Sequence, residues 1–339
     1  MTKPVPISYG ILALTLVLVG VLHLAPPFLA ILFSFFVLRK LYALTRRKWL
    51  ALLLFLLVAA GIAYCAIYFT RAAVAALPEI AENSLPSASA WAEARQIELP
   101  FTDMESLRTL LITTLKEEAH YLRNVANFAR SATTALVFAL IGIVVAVSVF
   151  FNSKIDLYRS THTTQNNLYS VLTDEITARF RDFYRSFATV IGAQMTISLI
   201  NTIFTAIFVL IVQLPHAPLV IAVTFVCGLL PIVGNVVSNT IIVFLAFTIS
   251  LKMAFVALIF LVVVHKLEYF LNSKIIGDRI RNPIWLTLIG LIIGERLMGI
   301  PGMIFAPVVL NYLRVEMSKT EVDPALSPVT APAAAGQIL

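Results

Sequence analysis

The sequence predicts an all-α polytopic membrane protein with about six full spans plus two interrupted, re-entrant hairpin segments of inverted-repeat character. Three observations predict it. The 339 residues are 60% hydrophobic and 13% charged, with mean hydropathy +0.92, and a soluble core cannot absorb that much apolar sequence. Several apolar runs approach the roughly 20 helical residues needed to cross a hydrocarbon core of about 30 Å. Between Leu219 and Leu313, two further apolar segments are each broken near the middle by Gly and Pro.

In chain order, Ile7–Leu24 is a first span that is retained, since no A-x-A cleavage pattern follows it. Pro26-Pro27 marks a turn. Phe28–Leu38 follows, extended by Leu41–Leu44 if Arg39 and Lys40 snorkel to the interface. Trp49–Phe69 is a third span with an interfacial Trp. Residues 71–130 are polar and punctuated by Pro78, Pro86 and Pro100. Thr102-Asp103-Met104-Glu105 fits a capping box opening an amphipathic helix. Ala132–Phe151 is a fourth span, residues 152–185 a second polar helical segment, and Phe187–Val212 a fifth span. A helix over Lys252–Leu271 separates the two broken segments, and a Pro- and Ala-rich tail reads as disordered. The divisions are therefore N-terminal membrane helices (1–70), an extracytoplasmic helical segment (71–130), a membrane helix (131–151), a cytoplasmic helical segment (152–185), a transport core (186–316) and the tail (317–339).

The first break is Gly228–Asn235 and the second Gly294–Gly302. Their arms 219–229, 284–294 and 303–313 are 11 residues each, reaching only about 17 Å. Arms that short suggest hairpins that dip in and turn back. Paired interrupted segments are the sequence pointer to a transporter's substrate site. Loops 39–48, 152–185 and 272–283 are rich in Lys and Arg. Segment 71–130, with six basic and eight acidic residues, has the opposite character. The basic loops, and with them both termini, are expected in the cytoplasm of a bacterial inner membrane. Parity then makes the first hairpin enter from outside and the second from the cytoplasm. Two tilted spans joined by a tight turn would satisfy the same parity.

The net charge of +7 reflects these topology-setting loops and does not point to nucleic acid. Cys65 and Cys227 lie in apolar runs and read as packing residues. No H-E-x-x-H, G-x-S-x-G or P-loop occurs, so no enzyme, metal or cofactor is expected.

The C-terminal half, roughly 184–316, resembles the autoinducer-2 exporter-like (AI-2E) permeases of bacteria. The resemblance rests on Leu230-Pro231-Ile232-Val233-Gly234, on Glu268 through Gly277, on Asn282-Pro283-Ile284, and on Gly299-Ile300-Pro301-Gly302-Met303 with Ala306-Pro307. Ser273 and Asn235 stand where that family usually has Pro. The resemblance implies a homo-oligomeric (pentameric), elevator-like transporter. It also implies either export of a small polar signal, as in quorum sensing, or sodium (lithium)/proton antiport.

Candidate site residues fall in four groups. Gln194, Ser198, Asn201 and Thr205 share one face of the fifth span and could line a substrate path, or could hydrogen-bond neighbouring helices. Pro231, Gly234, Asn235 and Asn239, with Ser238, shape the first break, where Asn could equally cap freed backbone groups. Gly299, Pro301 and Gly302 shape the second, beside Glu295 and Arg296, which are intramembrane coupling charges, an ion pair shaping the tip, or part of a wet tip exposed to a vestibule. Glu268, with His265 three residues earlier, could carry a proton or cation, or pair with Lys266 or Lys274. The expected partners are the lipid bilayer and a small polar solute or cation. A non-transporting scaffold working through helices 103–130 and 152–185 is the remaining alternative.

Overall fold

The structure is a computed structural model that describes residues 4–93, 119–156, 167–230, 233–275 and 283–319, with a few positions between them. Among the described residues it is helical throughout, with no strand. The helices are α1 (Pro4–Val21), α2 (Ala25–Thr45), α3 (Lys48–Glu93), α4 (Ala119–Phe151), α5 (Leu168–Val212), α6 (Ala217–Gly228), α7 (Val233–Ile249), α8 (Leu251–Ile275), α9 (Ile284–Met298) and α10 (Ile300–Met317). Four stretches are long and apolar enough to cross a membrane: Ala25–Thr45, Lys48–Ala76, Thr133–Phe151 and α5.

Local chemistry explains the boundaries. Pro26 and Pro27 occupy the first turn of α2, where a missing N–H costs nothing. The α2 helix ends at Arg46, whose left-handed backbone (φ 58°) sends its N–H to the Tyr42 carbonyl at 2.8 Å. Asn167 caps α5, its side-chain oxygen accepting from the Ser170 N–H at 2.8 Å. Gln213, again left-handed, closes that helix 45 residues later.

Three expectations are corrected. The third span does not stop near Phe69: α3 runs unbroken through Pro78 and Pro86 to Glu93. Its alanine-rich continuation favours helix, and where carbonyls can meet water a proline breaks few bonds. The arms of the second broken segment are not 11 residues. They are 15 and 18, or about 22 and 27 Å, because Glu295 to Met298 are all competent helix formers. Only Gly299, at φ 64°, turns the chain. Thirdly, the polar segment before the fifth span is not wholly separate from it, since α5 carries its second half, from Leu168, and the span as one rod. The proposed capping box at Thr102–Glu105 lies almost wholly outside the described residues.

Two apolar cores divide the C-terminal half. One joins Leu12 and Val19 of α1, Leu29 and Phe36 of α2, Phe183 to Ile191 of α5, and Phe305 and Val308 of α10. The other joins Phe208 and Val209 of α5 to Val220, Ile242, Leu245 and Leu261 of α6 to α8. There the Phe208 and Phe260 rings stack at 4.1 Å. A smaller core sets Leu38 against Phe55 and Phe150, tying α2 to α3 and α4. The α5 rod thus runs through both large cores, and its stretch from Ala193 to Thr205 lies between them. Much apolar surface faces outward, as on Leu57, Val144, Ile211 and Ile259. Such a surface suits lipid rather than water.

Candidate functional site

The polar face of α5 occupies the interval between the two cores, and it is largely buried. Ser198, Asn201, Thr202 and Thr205 are all buried. Two of the expected residues hold the first broken segment. Gln194 donates its side-chain N–H to the Gly228 carbonyl at 2.7 Å, and the Ser198 hydroxyl donates to the Phe225 carbonyl at 2.7 Å. Both acceptors lie in the last turn of α6, where carbonyls have no partner within the helix. Gly228 permits this approach, because a Cβ there would meet the Ser198 side chain. The Thr202 hydroxyl donates to the Ser198 carbonyl at 2.7 Å. Asn201 differs: its side-chain oxygen is buried with no hydrogen-bond partner, a costly state that a polar ligand or water would relieve.

The two breaks share one construction. In the first, a Cβ on Gly234 would coincide with the Cys227 carbonyl. In the second, Gly294 and Gly302 each sit against the other's carbonyl oxygen. Each hairpin therefore closes by backbone-to-backbone contact that only glycine allows. Gly299 forms the second turn, and Pro301 stands in the first turn of α10. Pro231 lies outside the described residues.

The first tip reaches across to α8. Asn235 donates its side-chain N–H to Glu268 Oε1 at 2.6 Å, a short, charge-assisted bond when the carboxyl is ionised. Glu268 is only 8% exposed, and its Oε2 lies 3.9 Å from His265 Nδ1. Glu268 therefore pairs with Asn235 and His265, not with Lys266; α7 and α8 are antiparallel neighbours, and their join at Ser250 aligns the start of one with the end of the other. Contacts run in succession from Gln194 to Gly228, Cys227 to Gly234, and Asn235 to Glu268. Asn239, one turn beyond Asn235, lines a cavity between α7 and α8.

Glu295 and Arg296 are not drawn into this cluster. Both are exposed on the last turn of α9, and among the described residues no ion pair joins them. Adjacent helical positions point about 100° apart, which removes the tip-shaping pair as their explanation.

A second polar cluster went unread in the sequence. At one end of the first large core, the Tyr9 hydroxyl donates to Glu316 Oε1 at 2.6 Å. Arg179 donates to that same carboxylate oxygen, to the Tyr9 hydroxyl at 2.8 Å and to Glu175 at 3.1 Å. Lys319 joins Glu316 Oε2 at 2.9 Å and Asp182 at 2.8 Å. Those bonds from Asp182 and then Glu316 push the Lys319 ammonium above its ordinary value. The signal available in the sequence was slight: a Tyr, an Arg and a Glu near the ends of three helices.

A further network organises the start of α5. Asp156 accepts from the Ser170 hydroxyl at 2.7 Å and contacts His162 Nε2 at 3.0 Å, so His162 is tied into the loop. The Ser170 hydroxyl is the main reason the Asp156 carboxyl titrates below its ordinary value, with burial opposing and His162 assisting.

Comparison with known proteins points to membrane transport. A Bacillus subtilis protein, YdbI, whose name assigns it provisionally to transport, is 28% identical over 196 residues. The alignment covers 57% of this chain and 53% of YdbI, so the chain spans about half the length of that relative. The model described as AI-2E family transporter matches residues 9–320, nearly the whole sequence, and the chain belongs to that family of membrane transporters.

Proposed function

We propose that this protein is a secondary transporter that exports a small polar solute by an elevator-like movement, with Glu268 as the group that couples transport to protons. The observation that carries the proposal is the buried Glu268 carboxylate held by Asn235 at the tip of a broken segment. A buried titratable group among apolar membrane helices is costly and is a candidate for function. Placed at a hairpin tip, its charge state can bias the hairpin's position, because a protonated carboxyl holds the Asn235 N–H less strongly than a carboxylate does. His265 Nδ1 lies 3.9 Å from Glu268 Oε2, a gap that one bridging water would span to relay a proton. The unpartnered Asn201 oxygen, on the buried α5 face, offers a hydrogen-bond acceptor to a polar solute.

The Lys/Arg-rich loops support a reading in which both termini lie in the cytoplasm of a bacterial inner membrane. In that setting the α6–α7 hairpin enters from outside and the α9–α10 hairpin from the cytoplasm. The α7 arm, 17 residues or about 26 Å, would carry the tip past the midplane. The family resemblance adds a homo-oligomer to this picture.

The test is efflux of candidate polar solutes from proteoliposomes, with and without a pH gradient. Wild-type protein is expected to move a solute faster with the gradient, and Glu268→Gln to lose that acceleration. If no solute moves under any gradient, the exporter reading fails. The second reading, a sodium (lithium)/proton antiporter, is favoured by the pairing of a carboxylate with a carboxamide, whose oxygens suit a hard cation. It requires proton flux that depends on sodium or lithium with no solute present. A non-transporting scaffold would leave both assays flat.

A further inference from the structure

The outward faces of α7 and α8 enclose an open cavity of about 820 Å³. Its walls are apolar: Val243 and Phe247 on α7, Phe255, Leu258 and Val262 on α8. At one end, Leu251 and Phe247 close it where the two helices join. At the other end stand His265 and Lys266, with Asn239 and Thr240 opposite. From Leu251 to Lys266 is 15 residues along α8, about 22 Å. One leaflet of the hydrocarbon core is only about 15 Å deep, so the groove accepts an acyl chain at full length.

The charged end selects the headgroup. His265 and Lys266 are both exposed, and among the described residues Lys266 makes no ion pair. The nearby carboxylate, Glu268, is turned inward to Asn235 and meets only the Nδ1 side of His265, at 3.9 Å. The groove thus presents an apolar trough ending in an ammonium that no carboxylate pairs among the described residues. A second copy of the chain seated here would bury an uncompensated ammonium, which is costly. A lipid satisfies both ends, since basic positions beside membrane helices take anionic headgroups.

We propose that the α7–α8 groove is a binding site for a phospholipid with an anionic headgroup, its phosphate at Lys266 and His265 and an acyl chain lying along Phe255 and Phe247. The site shares His265 with the transport reading, but its test requires no transport.

The test uses the full chain with Phe255→Trp as its one tryptophan (W49F, W91F, W285F), reconstituted in vesicles of phosphatidylcholine and phosphatidylglycerol. Bromine is placed on the tails of one lipid or the other, and quenching is read. The expected result is a preference of about fivefold or more for phosphatidylglycerol at the Phe255→Trp reporter, reduced to near parity by Lys266→Ala with His265→Ala. A control reporter, Ile141→Trp on the lipid-facing side of α4, is expected to show no preference. Equal quenching of the Phe255→Trp reporter by the two lipids, or a preference that survives removal of both basic side chains, overturns the proposal. Absence of quenching, together with disulfide formation between chains carrying Phe255→Cys, overturns it in favour of a second copy in the groove. Should the tryptophan variants fail to fold, lipid retained by the otherwise unaltered chain after detergent exchange decides. Phosphatidylglycerol must be enriched over phosphatidylcholine on the native chain and lost from the Lys266→Ala chain, and failure of either overturns the site.

Discussion

The hydroxyl of Tyr9 donates to the carboxylate of Glu316 at 2.6 Å across 307 residues of sequence. With Arg179 over the Tyr9 ring at 4.4 Å, this contact binds the first helix and the last described helix to the middle of the chain. It places α1, the front of α5 and α10 in one block, over the core built by Phe183, Phe187 and Val308. The other large core, with its hairpin, lies beyond the polar stretch of α5.

The first prediction concerns this block. Glu316→Ala leaves the largely buried Arg179 without its main partner, and such a loss costs about 3 kcal/mol or more. Tyr9→Phe removes two hydrogen bonds, one given to Glu316 and one accepted from Arg179, and costs about 1 to 2 kcal/mol. Thermal unfolding in detergent should rank the variants in that order, and the double variant should cost less than the two singles added. Equal midpoints for Glu316→Ala and wild type would remove the network from the stability of the fold.

Glycine contacts at the hairpins give a second. Gly302→Ala and Gly234→Ala drive a methyl group into a backbone carbonyl, which cannot rotate away, and overpacking of this kind costs about 1 to 3 kcal/mol. Gly10→Ala, in α1 with open space around it, is expected to be neutral or stabilising by up to about 1 kcal/mol. The same unfolding assay compares them, and indistinguishable values would mean that the hairpins tolerate separation.

The α5 polar face yields a third prediction. Gln194→Ala and Ser198→Ala each orphan a carbonyl at the end of α6, so each should lower stability by about 1 to 2 kcal/mol. Asn201→Ala breaks no bond that its side-chain oxygen makes. If that oxygen waits for solute, the variant keeps its unfolding midpoint while efflux falls. Parallel loss of stability and efflux would make Asn201 a packing residue.

A fourth concerns pH. The Asp156 carboxyl is held below its ordinary value by Ser170, so its contribution is complete above that ordinary value and is lost as pH falls through the depressed one. Proteolytic protection of the loop before α5 should therefore hold from neutral pH down to the ordinary aspartate range and fail below it. Asp156→Asn should abolish that dependence. The Lys319 ammonium, whose value is raised, behaves oppositely. Its contribution is complete below the ordinary lysine value and is lost as pH rises through the raised one.

Much of the fold was legible along the chain. Apolar runs and helix-stopping Pro and Gly located most helices and both breaks, because a helix in lipid must satisfy its own backbone and only Gly and Pro interrupt it cheaply. The polar face at Gln194, Ser198, Asn201 and Thr205 was legible as well, since helical spacing alone puts these residues together. Less could be read where the outcome depended on competition. Glu295 and Arg296 lie beside the second break in sequence, yet the helix simply continues through them. Pro78 and Pro86 look like breakers, yet α3 passes both.

By itself, the sequence determined that this is a multi-span helical membrane protein with two glycine-hinged breaks and a polar stripe, because composition, period and hinge residues are local properties. Tertiary structure alone decided that Gln194 and Ser198 hold a hairpin while Asn201 goes without a partner. It also decided that Glu268 answers to Asn235 and that Tyr9 meets Glu316. Those pairings depend on how helices pack side by side, and no spacing along one helix specifies which face of another it will meet.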